Sequence, residues 1–125
     1  MILDTNAISA WRDSSPELLE VLPPPAQLVL PVVTIGEYLY GASIARQRAL
    51  NEAWLQDLIR RIRVAPITVE TATHYASIRS SLRKKGKTIP ANDMWIAALA
   101  LQHGLPLLSR DAHFDVVDGL TRVAW

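Results

Sequence analysis

Short apolar runs alternate with longer segments of helical period along this chain, and that alternation limits the possible folds more than any other feature. The runs are Met1 to Leu3, Leu28 to Leu30, Val64 to Thr68, Leu107-Leu108 and Leu120 to Val123. Each is too short for a helix, and turn signals such as Pro23-Pro24-Pro25 set them off, so each reads as a buried strand. Ser15-Pro16-Glu17 is an N-cap with Pro in the first turn, opening a short helix to Leu22. Thr34 to Ala45 and Gln47 to Arg63 read as two helices able to form a hairpin, the second with Leu50, Trp54, Leu58 and Ile62 on one face. Val69 to Lys85 is a helix expected to turn Ala72, Tyr75, Ala76 and Leu82 inward and to stop at Gly86. Asn92 is the expected cap of a helix ending at Gly104, and Asp111 to Phe114 makes a helical turn. Strands alternating with helices build an α/β fold, with a mostly parallel sheet and helices on both faces.

The 125 residues form one expected domain, 1–125, large enough to bury a core without a staple. Half of them are hydrophobic and none is Cys, which excludes a disulfide scaffold, a thiolate metal site and Cys nucleophile chemistry. With 13 Lys+Arg against 12 Asp+Glu, net charge alone announces no polyanion partner. No apolar run reaches the length of a membrane span, and Met1-Ile2-Leu3-Asp4 lacks the basic start of a signal segment. A cytoplasmic protein is expected.

Four acids lie where apolar runs give way to helices. Asp4 follows Met-Ile-Leu, and Glu37 comes within a turn or two of Leu-Val-Leu-Pro-Val-Val. Asp93 opens Asp-Met-Trp-Ile-Ala-Ala-Leu-Ala-Leu, and Asp111 follows Leu-Leu-Ser-Arg. In a doubly wound sheet such turns gather at the carboxyl edge, where these folds bind ligands, so the four are expected to converge. Ile96, Ala97, Ala100 and Leu101 share the helix face of Asp93, placing it at the top of a buried stripe. Gly41, one turn below Glu37, is expected to let its helix approach neighbours closely. Taken singly, each acid is explained by capping or by the helix dipole. That explanation does not account for all four occupying equivalent turns. Converging carboxylates raise one another's pKa unless a cation neutralises them, and an oxygen-only cluster selects Mg²⁺ or Mn²⁺.

Four segments carry a resemblance to a known family: Met1-Ile-Leu-Asp-Thr-Asn6, Thr34-Ile-Gly-Glu37, Pro90-Ala-Asn-Asp-Met-Trp-Ile-Ala-Ala98 and Leu108-Ser-Arg-Asp-Ala-His-Phe114. In order and spacing they resemble the motifs of PIN-domain ribonucleases, specifically the VapC-type toxins of toxin-antitoxin modules. The resemblance implies a three-layer α/β/α sandwich around a central parallel sheet. It implies that Asp4, Glu37, Asp93 and Asp111 are the catalytic acids and hold one or two Mg²⁺ or Mn²⁺ ions. Asp4 and Asp93 would be direct ligands, with Glu37 and Asp111 acting directly or through water. Asn6 and Ser109 match polar positions that orient the carboxylates or the attacking water, and Asp115 is a weaker acidic candidate. The partners implied are an RNA substrate, a cognate antitoxin whose C-terminal tail enters the groove, and a second copy of the chain in a homodimer.

For RNA contacts the basic stretch Arg79, Arg83, Lys84, Lys85 and Lys87 is a candidate phosphate track, although cations also suit a helix C-terminus. The mixed-charge set Arg46, Arg48, Arg60, Arg61 and Arg63 reads as a solvated face. His74, His103 and His113 read as surface or packing residues, and Trp11, Trp54, Trp95 and Trp125 as mostly core. Two other readings are open: a PIN-like module that binds without cutting, and a Mg²⁺-binding receiver-like signalling domain. The receiver needs an Asp ending the third strand, and Val64 to Thr68 has none.

Overall fold

A computed structural model describes residues 1–125. β1 (Ile2–Leu3) leads into α1 (Thr5–Arg12) and α2 (Pro16–Val21). β2 (Val29–Pro31) is followed by α3 (Val32–Ser43) and α4 (Arg48–Arg61), then β3 (Arg63–Ala65) by α5 (Val69–Lys84) and α6 (Ala91–His103). β4 (Leu107–Leu108), a 3-10 turn at Ala112–Val116 and β5 (Arg122–Val123) complete the chain.

The five strands form one parallel sheet in the order β3-β2-β1-β4-β5, with Ile2 opposite both Val29 and Leu107. Successive strand residues face opposite ways and seed two cores. Ile2, Val29, Ala65 and Leu107 pack with Ile78, Leu82, Ile96 and Leu99 under α5 and α6. Leu3, Leu30 and Leu108 pack with Ala7, Ile8, Leu18, Leu55 and Leu58 under α1 to α4. The result is the expected three-layer α/β/α sandwich. The strand order excludes the receiver reading, whose doubly wound order is 2-1-3-4-5. No helix is long and apolar enough to cross a membrane.

Several local expectations are corrected. Thr5–Arg12 is a helix that the apolar pattern does not announce, because only Ala7 and Ile8 of it are buried. On α4 the buried face is Asn51, Leu55 and Leu58, continued by Ile62, while Leu50 is 67% exposed. On α5 it is Thr71, Ile78 and Leu82, with Ala72 and Ala76 in solvent. Trp54, Leu58, Ile62, Tyr75 and Leu82 do pack on the cores as expected, while packing against the sheet turns Leu50, Ala72 and Ala76 out and brings Asn51, Leu55, Thr71 and Ile78 in. A Cβ at Gly41 would meet nothing within 4 Å, so no close helix approach depends on it. Gly86 and Gly104 do end their helices, with φ of 66° and 62° that disfavour other residues.

Candidate active site

The sheet reverses its winding between β1 and β4, and such a switch point opens a crevice at the carboxyl ends of the strands. A cleft of about 980 Å³ lies there, lined by Asp4, Glu37, Asp93 and Asp111 among other polar residues. Each acid arrives from a different element. Asp4 is the N-cap of α1: its Oδ1 accepts from the Thr5 amide at 2.7 Å, while its own amide donates to the Leu108 carbonyl at 3.1 Å. Glu37 lies three residues beyond Thr34, whose buried hydroxyl donates to the Leu3 carbonyl at 2.9 Å and so ties α3 to the end of β1.

Asp93 comes by another route. It follows no strand, contrary to the strand-to-helix pattern expected of all four acids. α6 runs back from the cleft toward β4, and its first turn therefore opens at the carboxyl edge. The residue capping α6 is Pro90 rather than Asn92, which lies in the first turn and lines the cleft near Glu37. Asp111 follows β4 and heads the 3-10 turn.

A polar lattice holds these acids in place. The Ser109 hydroxyl, without solvent access, donates to Asp4 Oδ2 at 2.6 Å and accepts from the Asp111 amide at 3.0 Å. Asn6 donates to that hydroxyl through Nδ2 at 3.3 Å and accepts from the Arg110 amide through Oδ1 at the same distance. The Thr5 hydroxyl donates to Glu37 Oε1 at 3.1 Å. Asp4 is only 5% exposed, and burial is the main reason its carboxyl titrates above the usual range, against the pull of the Ser109 and Thr5 bonds. Burial also raises Glu37, to which Asp93 and Asp4 add repulsion, and it raises Asp93 despite the contact with His113. Carboxylate oxygens of Asp4, Glu37 and Asp93 lie within 4.8 Å of one another. A second group, Asp93, Asp111 and His113, meets the same limit.

The family model of the PIN domain matches residues 1–120. The chain belongs to the PIN domain family. This PIN domain is 30% identical over 124 residues to the ribonuclease VapC5 of Mycobacterium tuberculosis, covering 98% of this chain and 90% of the relative. It superposes on the DNA-bound VapBC of Salmonella typhimurium with a TM-score of 0.88 at 25% identity, over 99% of this chain and 96% of that one. VapBC-5 of Mycobacterium tuberculosis, described as a member of the VapBC family of toxin-antitoxin systems, gives 0.77 at 29% identity, over 98% and 94%.

Not every candidate reaches the cleft. Asp115 points away and pairs with Arg122 at 2.7 and 2.9 Å. None of Arg79, Arg83, Lys84, Lys85 and Lys87 lines this PIN domain's cleft. Lys85 is held by Asp118 and the Val116 carbonyl, and Arg79 donates to the Tyr75 hydroxyl. His113, expected at the surface or in packing, instead bridges two of the acids. Its Nε2 lies 2.7 Å from Asp93 Oδ2 and its Nδ1 3.0 Å from Asp111 Oδ1. Arg110 was also missed. The signal for both was their place within Ser109-Arg110-Asp111-Ala112-His113, where the backbone turns around an acid.

Proposed function

We propose that this PIN domain is a divalent-metal-dependent endoribonuclease of the cytoplasm, and the toxin of a toxin-antitoxin pair. The convergence of Asp4, Glu37, Asp93 and Asp111 from four separate elements on one cleft of a PIN domain carries this reading. The name of VapC5 as a ribonuclease and the description of VapBC-5 as a toxin-antitoxin system support it. A cognate antitoxin is accordingly the protein partner, and the chain pairs with a second copy of itself as a homodimer.

The donor set fits a hard cation. The acids offer oxygen ligands without any thiolate, and a buried carboxylate without a cation is costly. Asp4 and Asp93 would bind Mg²⁺ or Mn²⁺ directly, with Glu37 and Asp111 binding directly or through water. Bound there, such an ion counters the charge that builds on a phosphodiester and lowers the pKa of the attacking water. The chain supplies the positioning. Ser109 and the Thr5 amide fix both oxygens of Asp4, the Thr5 hydroxyl aims Glu37, and Asn6 locks the segment of Ser109 and Arg110, just after β4, against α1.

The test is cleavage of total cellular RNA by the purified, partner-free protein with Mg²⁺ or Mn²⁺, with EDTA and Asp93→Asn as controls. Discrete cuts that vanish in both controls are expected. Cutting that survives either control overturns the reading. Absence of cutting together with absence of Mn²⁺ binding would leave the silent binding module.

A further inference from the structure

We propose that Arg110 grips a phosphate of the RNA strand beside the scissile one, and that Trp125 holds its guanidinium ready for it. This rests on the reading of the cleft as an RNA-cutting site. Five carboxylates line the cleft, those of Asp4, Asp13, Glu37, Asp93 and Asp111, and Arg110 is the only Lys or Arg among the lining residues. A cation in such company ordinarily pairs with an acid. Arg110 forms no ion pair, and its guanidinium donates no hydrogen bond within the protein, although its charge is felt by Glu17.

What fixes the group is the Trp125 ring, 5.0 Å from the Arg110 Cζ to the centroid. A ring contact spends the electrostatics of the guanidinium's face and leaves its N–H donors unspent. The backbone is fixed as well, since the Arg110 amide donates to Asn6 Oδ1. The result is a preorganised planar fork, which suits the paired oxygens of a phosphate better than a point charge does. Arg110 lines the same cleft as the four acids, and its charge acts on Glu17 rather than on Asp4, Glu37 or Asp93, so an anion on its fork lies along the cleft from the one being cut, as a neighbouring phosphate would. An acidic rim otherwise repels a polyanion, and this single fixed cation gives the strand a point of attachment. Arg110 is thus a substrate-binding residue, and Trp125 is the residue that positions it. A carboxylate of a protein partner is the competing occupant.

The experiment is steady-state cleavage of a single-stranded RNA carrying one mapped cut site, at several salt concentrations, with calorimetric Mn²⁺ titration of each variant. Arg110→Ala is expected to raise KM about ten-fold with kcat little changed, the scale of one charged hydrogen-bonding contact. It should also flatten the log–log salt dependence by about 0.7, the loss of one phosphate contact on a single strand. Mn²⁺ affinity should stay at the wild-type value. Arg110→Lys should restore the salt slope but only part of KM, and Trp125→Leu should raise KM less and keep the slope. An Arg110→Ala enzyme with wild-type KM and slope overturns the proposal, as does one whose Mn²⁺ affinity falls. Unchanged KM with weakened inhibition by the antitoxin assigns the fork to the protein partner and also overturns it. A wild type that does not cut, or an Asp93→Asn variant that does, fails the functional reading itself.

Discussion

Asp4 does two jobs with one carboxylate, capping α1 through Oδ1 and receiving the Ser109 hydroxyl through Oδ2. Burial raises its titration together with those of Glu37 and Asp93. For a carboxyl raised on folding, the folded chain holds protons that the unfolded chain releases, so stability is lost as pH rises through the folded value. The contribution of these three acids to the metal-free protein is therefore expected to grow as pH falls from neutrality toward the ordinary carboxylate range near 4, while His103 and the Met1 amino group, both lowered by burial, act against it at the upper end. Asp115 and Asp118, kept low by Arg122 and Lys85, act with the opposite sign. Their contribution is lost only as pH falls through that range and below. Mn²⁺ affinity should move against apo stability, weakening over the same interval, since the ion needs the ionised acids. Thermal melts and Mn²⁺ titrations across that interval check both; apo stability that rises with pH below the ordinary histidine range, where the carboxyls titrate, would show that burial does not raise these acids. At this scale Asp4, Glu37 and Asp111 were legible because apolar strands precede them, and Asp93 because it heads an apolar helix. Arg110 and His113 were not, since their meaning depends on what stands opposite them in space.

Helix faces were harder to read than helix positions. On α4 the spacing Leu50, Trp54, Leu58, Ile62 is right from Trp54 onward and fails at Leu50, while it passes over Leu55. The correct stripe passes through Asn51, a polar residue buried beside Tyr38, whose hydroxyl donates to the Asn51 carbonyl at 3.0 Å. Hydrophobicity alone gives no hint of that contact. Leu55, with no solvent access, should cost about 2–5 kcal/mol when cut to Ala. Leu50→Glu should change stability by no more than about 0.5 kcal/mol. Chemical denaturation of the two variants measures the difference, and equal losses would restore the rejected face. α6 raises the opposite problem. Met94 and every residue from Ile96 to Ala100 are buried, so a helix this enclosed has little face to predict. Its value to the site is directional: because it runs away from the cleft, its N-terminal end delivers Asp93 there without a strand before it.

Across the whole molecule, strands of two or three residues hold together two cores that would otherwise be separate. The alternation of strands and helices made this sandwich legible from the sequence, as did the glycines closing α5 and α6. The strand order was not legible, because runs so short carry no pairing signal. An ion joining Asp4, Glu37, Asp93 and Asp111 would link elements from both layers and the sheet between them. Saturating Mn²⁺ should therefore stabilise the entire fold, by about 2.7 kcal/mol at one hundred times its Kd. Asp93→Asn should lose most of that gain while its metal-free form melts no lower than wild type, because one of the mutually repelling charges is gone. Calorimetric melts of both proteins with and without Mn²⁺ decide the point. An Asp93→Asn protein stabilised as fully as wild type would remove Asp93 from the ion.

The bond from Ser109 to Asp4 spans 105 residues of chain, and β4, which leads into Ser109, must insert beside β1 before the cleft has two of its walls. During synthesis at roughly 5–20 residues per second, the growing polypeptide spends most of its time without Asp111 or the serine that sets Asp4. The wiring of the sheet thus makes the acidic cleft a late product of folding, since Asp4 gains its serine only after β4 has joined β1.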